Sequence, residues 1–148
     1  MAAKLQVGAG KQFKNITYAV KAAKTGDTVW VHAGLYFEKN LVIDKRIVLK
    51  GENYPVLDGE NKFEVISIKT DGVVVDGFKV IRSGHSSIID MGGIKVYDSK
   101  YVTLKNNILE DTFFGIYLQY ASHCTIQNNR ITAHATEEQQ SGNGIPCW

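Results

Sequence analysis

The chain has 148 residues, 44% hydrophobic and 22% charged, with a net charge of +2. That is the size of one domain with apolar content enough for a core, which excludes a disordered chain. So small a charge without a Lys/Arg cluster excludes nucleic acid as a partner, no apolar run approaches the roughly 18 residues of a membrane span, and Cys124 and Cys147 are too few for a disulfide framework.

In chain order, Met1-Ala-Ala carries no signal-peptide pattern. Leu5 and Val7 read as a short first strand. The loop Gly8-Ala-Gly-Lys11 has neither the spacing nor the Ser/Thr of a phosphate-binding loop. Phe13, Ile16, Val20 and Ala23 keep helical spacing, and Thr25-Gly26-Asp27 ends the run. Residues 1–28 are thus expected to form a strand and a helix that cap the repeats of residues 29–148, because a stack of repeats exposes its apolar interior at its ends.

Within those repeats, Ile47, Val73, Val102 and Cys124 share one column, Leu49, Val75, Leu104 and Ile126 a second, and Gly51, Gly77, Asn106 and Asn128 a third. The third suits a left-handed bend, which glycine and asparagine tolerate best. Ile66-Ser-Ile68, Ile94-Lys-Val96, Ile116-Tyr-Leu118 and Ile145-Pro-Cys147 form a further set, each reading apolar, variable, apolar. The two sets interleave at periods of 22 to 29 residues, so each turn supplies at least two short strands that bury a face only by stacking. The expected architecture is all-β: a right-handed parallel β-helix of about five coils with one N-terminal capping helix, as a single domain over 1–148.

Two insertions interrupt the coils, Arg82 to Gly92 in the third and Ala133 to Asn143 in the fifth. Both leave between the two strand sets, so they are expected to project from one side and flank the fourth coil. Insertions on one face of a solenoid often build its binding face.

Several stretches together resemble a known family. Phe13-x-x-Ile16, Ala22-Ala-Lys-Thr-Gly-Asp27 and Gly34-x-Tyr36 are similar to the opening module of pectin-lyase-like β-helices. Gly51-Glu-Asn-Tyr-Pro-Val-Leu-Asp-Gly-Glu60, Asn106-Asn-Ile-Leu-Glu-Asp-Thr-Phe-Phe-Gly-Ile-Tyr-Leu118 and Ser141-Gly-Asn-Gly-Ile145 resemble the NosD family, within the wider group of carbohydrate-binding and sugar-hydrolase β-helix repeats. The resemblance runs from about Phe13 to Ile145 and implies the N-terminal part of a longer solenoid. It further implies a periplasmic accessory protein that works with an ABC transporter and a copper chaperone in maturing nitrous oxide reductase. One departure is Pro146, where related chains often carry His.

The residues offer three kinds of site. Tyr117 should point outward from its strand with Lys95 below it and Phe114, Tyr97 and Tyr120 nearby, a candidate face for polysaccharide or a protein partner. His85 and Met91 in one insertion and His134 in the other could meet over the fourth coil, and imidazole with thioether suits copper, although no cofactor is required. Asp90 and Asp111 fall at like places in adjacent coils, and inverting glycosidases hold two carboxyls about 6.5–9.5 Å apart. Acids at coil corners also serve as solvated turn formers, and the Asn-Thr-Asp and Asp-Asp strings of polygalacturonases are missing. The chain therefore reads first as a non-enzymatic binding module, with a polysaccharide-binding or polysaccharide-degrading domain as the alternative. Cys124, Ile131, Ile145, Cys147 and Trp148 would leave an apolar last coil, which is expected to pair in a homodimer.

Overall fold

The computed structural model describes residues 2–84 and 91–132. Strand β1 (Lys4–Val7) and helix α1 (Ile16–Ala22) come first. Each of the next four turns supplies three strands, and the fifth supplies two within the described residues. These are β2 (Thr28–Val31), β3 (Leu35–Tyr36) and β4 (Leu41–Ile43); β5 (Val48–Gly51), β6 (Val56–Asp58) and β7 (Ile66–Ile68); β8 (Val74–Asp76), β9 (Lys79–Ile81) and β10 (Gly92–Tyr97); β11 (Thr103–Lys105), β12 (Ile108–Glu110) and β13 (Phe114–Gln119); and finally β14 (Thr125–Gln127) and β15 (Arg130–Thr132). All pair in parallel, in three sheets: a first of order β1-β2-β5-β8-β11-β14, a second of order β3-β6-β9-β12-β15 and a third of order β4-β7-β10-β13. The result is a parallel β-solenoid.

The expected columns are the observed register. Leu49, Val75, Leu104 and Ile126 are successive partners in the first sheet. Leu41, Ile66, Ile94 and Ile116 are partners in the third. The second sheet is the set that sequence reasoning missed. Its inward column is Tyr36, Leu57, Val80, Leu109 and Ile131. Each of its strands carries a single inward residue, which shows no alternation. The inward residues of all three sheets form one core. The first insertion leaves after Ile81 and the second after Thr132, and both residues pair with Glu110. The two insertions thus depart from one corner, between the second and third sheets.

The bend from first to second sheet takes two residues in three successive turns. Gly77, Asn106 and Asn128 have φ of 87°, 57° and 56°, as the column predicted. Gly51 departs from it. It ends β5 outside the left-handed region, and a Cβ there would collide with the Gly77 carbonyl oxygen, so glycine is needed for close approach. The asparagine ladder lies one residue later than the left-handed pair. Asn107 is fully buried; its amide accepts from Phe78 N–H (3.0 Å) and donates to Val75 O (3.1 Å) and Asn129 Oδ1 (3.1 Å). Asn129 Oδ1 also accepts from Asn107 N–H (3.0 Å), and its Nδ2 donates to Leu104 O (2.8 Å). Each side-chain amide thereby satisfies backbone groups that the bend removes from the ladders.

The cap is built as expected but is shorter. Phe13 is outside the helix and bridges to Val7, while Ile16, Ala19 and Val20 face the core. A seven-residue helix is unstable alone, and the first coil holds both of its ends. Glu38 accepts from Ile16 N–H (3.1 Å), Thr17 N–H (2.8 Å) and the Thr17 hydroxyl (2.7 Å). Lys45 Nζ donates to the carbonyls of Val20 (3.1 Å), Lys21 (2.7 Å) and Ala23 (2.8 Å). Charge of the right sign thus meets each end of the helix. Buried Asp27 ties the cap to the first coil by accepting from Ala3 N–H and Lys24 N–H, both at 2.8 Å.

At the far end, Cys124, Ile126 and Ile131 are only partly buried against the core. The remaining members of the expected dimer contact, Ile145, Cys147 and Trp148, lie outside the described residues, as do His85, Asp90 and His134.

Asn107→Leu keeps the branched shape but leaves the Phe78 N–H unbonded, and should lower stability in urea unfolding by about 1–3 kcal/mol. The Lys24 and Ala3 N–H bonds hold the Asp27 carboxyl below its ordinary pKa. A depressed folded pKa contributes stability that is present above the unfolded value, about 3.9, and lost as pH falls through the folded one. Thermal melts from pH 6 down to pH 2 should therefore show an acid-labile component that Asp27→Asn removes.

Candidate outer face of the third sheet

Along β4, β7, β10 and β13, the residues opposite the core column are Val42, Ser67, Lys95 and Tyr117, in register from coil to coil. This is the arrangement the sequence predicts for Lys95 and Tyr117. Their exposure differs from the expectation of an open aromatic face. Lys95 and Tyr117 are each only 4% exposed. The Lys95 ammonium lies 4.6 Å from the Tyr97 ring centre and 4.8 Å from that of Tyr117. Phe114 packs edge-on to Tyr117 at 5.3 Å and to Phe113 at 4.7 Å. Lys69 Nζ lies 5.0 Å from the Tyr97 ring centre. Cation–π contacts of this kind strengthen where water is excluded. Tyr120, the fifth residue expected here, sits past the end of β13 in left-handed backbone and is exposed.

Three polar residues that sequence reasoning missed complete the face. Glu64 is 8% exposed. Its Oε2 accepts from the Tyr97 hydroxyl (2.8 Å) and from the Ser67 hydroxyl. Asn40 Nδ2 donates to Ser67 Oγ (2.8 Å) and to the Glu64 carbonyl (2.9 Å). Among the described residues, Glu64 Oε1 is buried with no hydrogen-bond partner. Such an atom is costly to leave bare, and a donor of any kind, water included, would satisfy it. Ser67 was legible as the small polar residue between two isoleucines in Lys95's column. Glu64 precedes its strand and carries no such signal.

Burial, then the hydrogen bond and charge of Glu64, push the Tyr97 phenol well above its ordinary pKa. Close packing constrains the strand start as well. A Cβ on Gly93 would come within 2.8 Å of Leu109 Cδ2 and 2.9 Å of the Gly115 carbonyl oxygen.

Of the other candidates, Met91 and Asp111 are among the described residues. Of the metal trio only Met91 is described. Its carbonyl accepts from Phe114 N–H (3.3 Å), which places its backbone beside this face. Among the described residues no group of three or more His, Cys, Asp or Glu comes together. Asp111 has left-handed backbone (φ 53°) just past β12, at the corner where the insertions depart, and is exposed. There Arg82 grips buried Asp58 through both guanidinium and carboxylate edges, with Nε to Oδ1 at 3.0 Å. That hydrogen-bonded pair, with Asp58's charge and then that of Asp111, raises the Arg82 pKa.

Comparison with known proteins agrees with this architecture. The family described as "Right handed beta helix region" matches residues 12–147. The chain is 25% identical over 125 residues to "Probable ABC transporter binding protein NosD" of Pseudomonas aeruginosa, covering 83% of this chain and 29% of that protein. It therefore spans under a third of that relative's length. Among solved structures it is similar to the deglycosylated pectin methylesterase from Aspergillus niger, with a TM-score of 0.52 and 13% identity over 93% of this chain and 62% of that one. A second form of that enzyme, bearing an N-acetylglucosamine stub, gives a TM-score of 0.51 at the same identity and coverage. At 13% identity this likeness concerns the fold alone.

Spectrophotometric titration at 295 nm should show Tyr97 ionising after the exposed tyrosines, a late component that Tyr97→Phe removes. A raised folded pKa contributes stability fully present below the unfolded value, about 10, and lost as pH rises through the folded one. Unfolding followed between pH 9 and 12 should accordingly fall less steeply in Tyr97→Phe than in the unaltered chain.

Proposed function

Because the chain belongs to the right-handed β-helix family, we propose that it is a recognition module of the NosD type, a non-enzymatic accessory whose ligand contacts lie on the outer face of the third sheet. The observation that carries this reading is Glu64 Oε1, a buried acceptor with no hydrogen-bond partner among the described residues, on a carboxylate that also binds the phenol of Tyr97, whose ring faces the Lys95 ammonium. Two hydroxyls hold the other carboxylate oxygen in place. A rigid acceptor beside an aromatic ring suits the holding of a donor. It does not by itself supply the second carboxyl that acid–base hydrolysis of a glycan uses.

Similarity to a protein named as an ABC transporter binding protein supports a transporter as partner; the resemblance to the NosD family adds the rest of the proposal, an extracytoplasmic location, a copper chaperone as partner and copper as cargo for nitrous oxide reductase. Met91 is the described residue nearest to that role, since a thioether is a soft copper ligand and its backbone lies beside the face. His85 and His134 complete the proposed set. The second reading, polysaccharide recognition, is favoured by one specific feature: a carboxylate beside aromatic rings is the set that engages sugar hydroxyls.

Titration with Cu(I) against a competing chelator, alongside a panel of acidic oligosaccharides, separates the two. The NosD-type reading expects about one equivalent of Cu(I), weakened by Met91→Ala and His85→Ala, and no turnover of pectin. Oligosaccharide binding lost in Glu64→Gln, without a copper site, would replace it with the second reading. Pectin turnover abolished by Asp111→Asn would overturn both.

A further inference from the structure

The solenoid is capped unevenly. In the first sheet β1 lies below β2, and α1 packs against β1, β2 and β4. The second sheet begins at β3, with no strand below it among the described residues. The ladder defines what that edge presents. Val56 N–H bonds to Gly34 O (2.8 Å), and Leu35 and Tyr36 are level with Val56 and Leu57. In a parallel pair, alternate residues address opposite neighbours. Gly34 and Tyr36 therefore address β6, while the N–H and C=O of Leu35 and the N–H of Phe37 point away from it. Leu35 and Phe37 are 57% and 52% exposed. Beside this edge lies a groove of about 570 Å³ lined by Ala9, Gly10 and Lys14 on one wall and Ala33, Gly34, Leu35 and Tyr36 on the other.

We propose that this groove is a docking site for an extended, acidic segment of a partner protein, which adds to the second sheet as a strand below β3. Three features select that occupant. The edge offers main-chain donors and an acceptor at strand spacing, which an extended backbone matches and a helix does not. Leu35 and Phe37 leave apolar surface beside it. Lys14 stands exposed in the opposite wall, and no ion pair among the described residues engages it, so its charge is complementary to a carboxylate on the incoming strand. An uncovered edge is also a hazard that proteins ordinarily block. Here the edge keeps apolar side chains where blocking would place charge or proline.

The test uses a fluorescein-labelled hexapeptide of alternating valine and glutamate. We expect saturable binding by anisotropy, together with slower amide hydrogen exchange at Leu35 and Phe37. Leu35→Pro removes an N–H that β6 does not use, a change tolerated on an edge, and should abolish binding while leaving the melting curve in place. Lys14→Glu should weaken binding on the order of tenfold. A peptide N-methylated at alternate residues should fail to bind, which keeps the test decisive if Leu35→Pro does not fold. No binding at roughly 1 mM peptide, or equal binding to the N-methylated peptide, overturns the proposal. Protection of Leu35 that rises with protein concentration and needs no peptide also overturns it, since the edge would then be taken by a second copy.

Discussion

Every coil of this protein has to leave one sheet and enter the next without losing register, and the tightest of these corners is the one from the first sheet to the second. Two residues make it: Gly77-Phe78, Asn106-Asn107 and Asn128-Asn129. The first of each pair takes left-handed backbone. The second projects into the stack, as a phenyl ring in one coil and as side-chain amides in the next two. Because side chains alternate along a strand, a one-residue slip here would turn Val80, Leu109 and Ile131 outward. The corner thus sets which residues of the second sheet reach the core, and through them the path of the chain toward the third.

The N-terminal cap obeys a similar logic of mutual support. Helix α1 is too short to persist alone, and it lacks acidic residues in its own first turn. Glu38 and Lys45, both from the first coil, bind its two ends. The coil therefore completes the helix while the helix covers the coil. This arrangement shields the first and third sheets and leaves β3 at the edge.

On the third sheet, burial changes what the side chains can do. An outward lysine in water would be mobile and hydrated. Lys95 instead lies between two tyrosine rings, and the phenol of one of them is tied to Glu64. Among the described residues one carboxylate oxygen of this network has no hydrogen-bond partner, and in a water-poor setting such an atom is electrostatically costly. The fold alone does not fix a function; what this face can do follows from its own side chains.

The sequence by itself determined the solenoid. The spacing of Leu49, Val75, Leu104 and Ile126, and the Gly and Asn residues just after them, dictated coils in register, because parallel stacking places like residues above like residues and left-handed bends admit few side chains. The same reasoning put Lys95 beneath Tyr117. Tertiary structure decided the rest. Whether an outward position meets water depends on what packs over it, which no periodicity encodes, so Lys95 and Tyr117 read as exposed when they are buried. Each strand of the second sheet carries a single inward residue, which shows no alternation, so that sheet and, among the described residues, its edge at β3 emerged only from pairing. Glu64 was silent for a related reason: a carboxylate before a strand reads as a solvated turn, and only the approach of Ser67 and Tyr97, from its own coil and the next, makes it a buried acceptor.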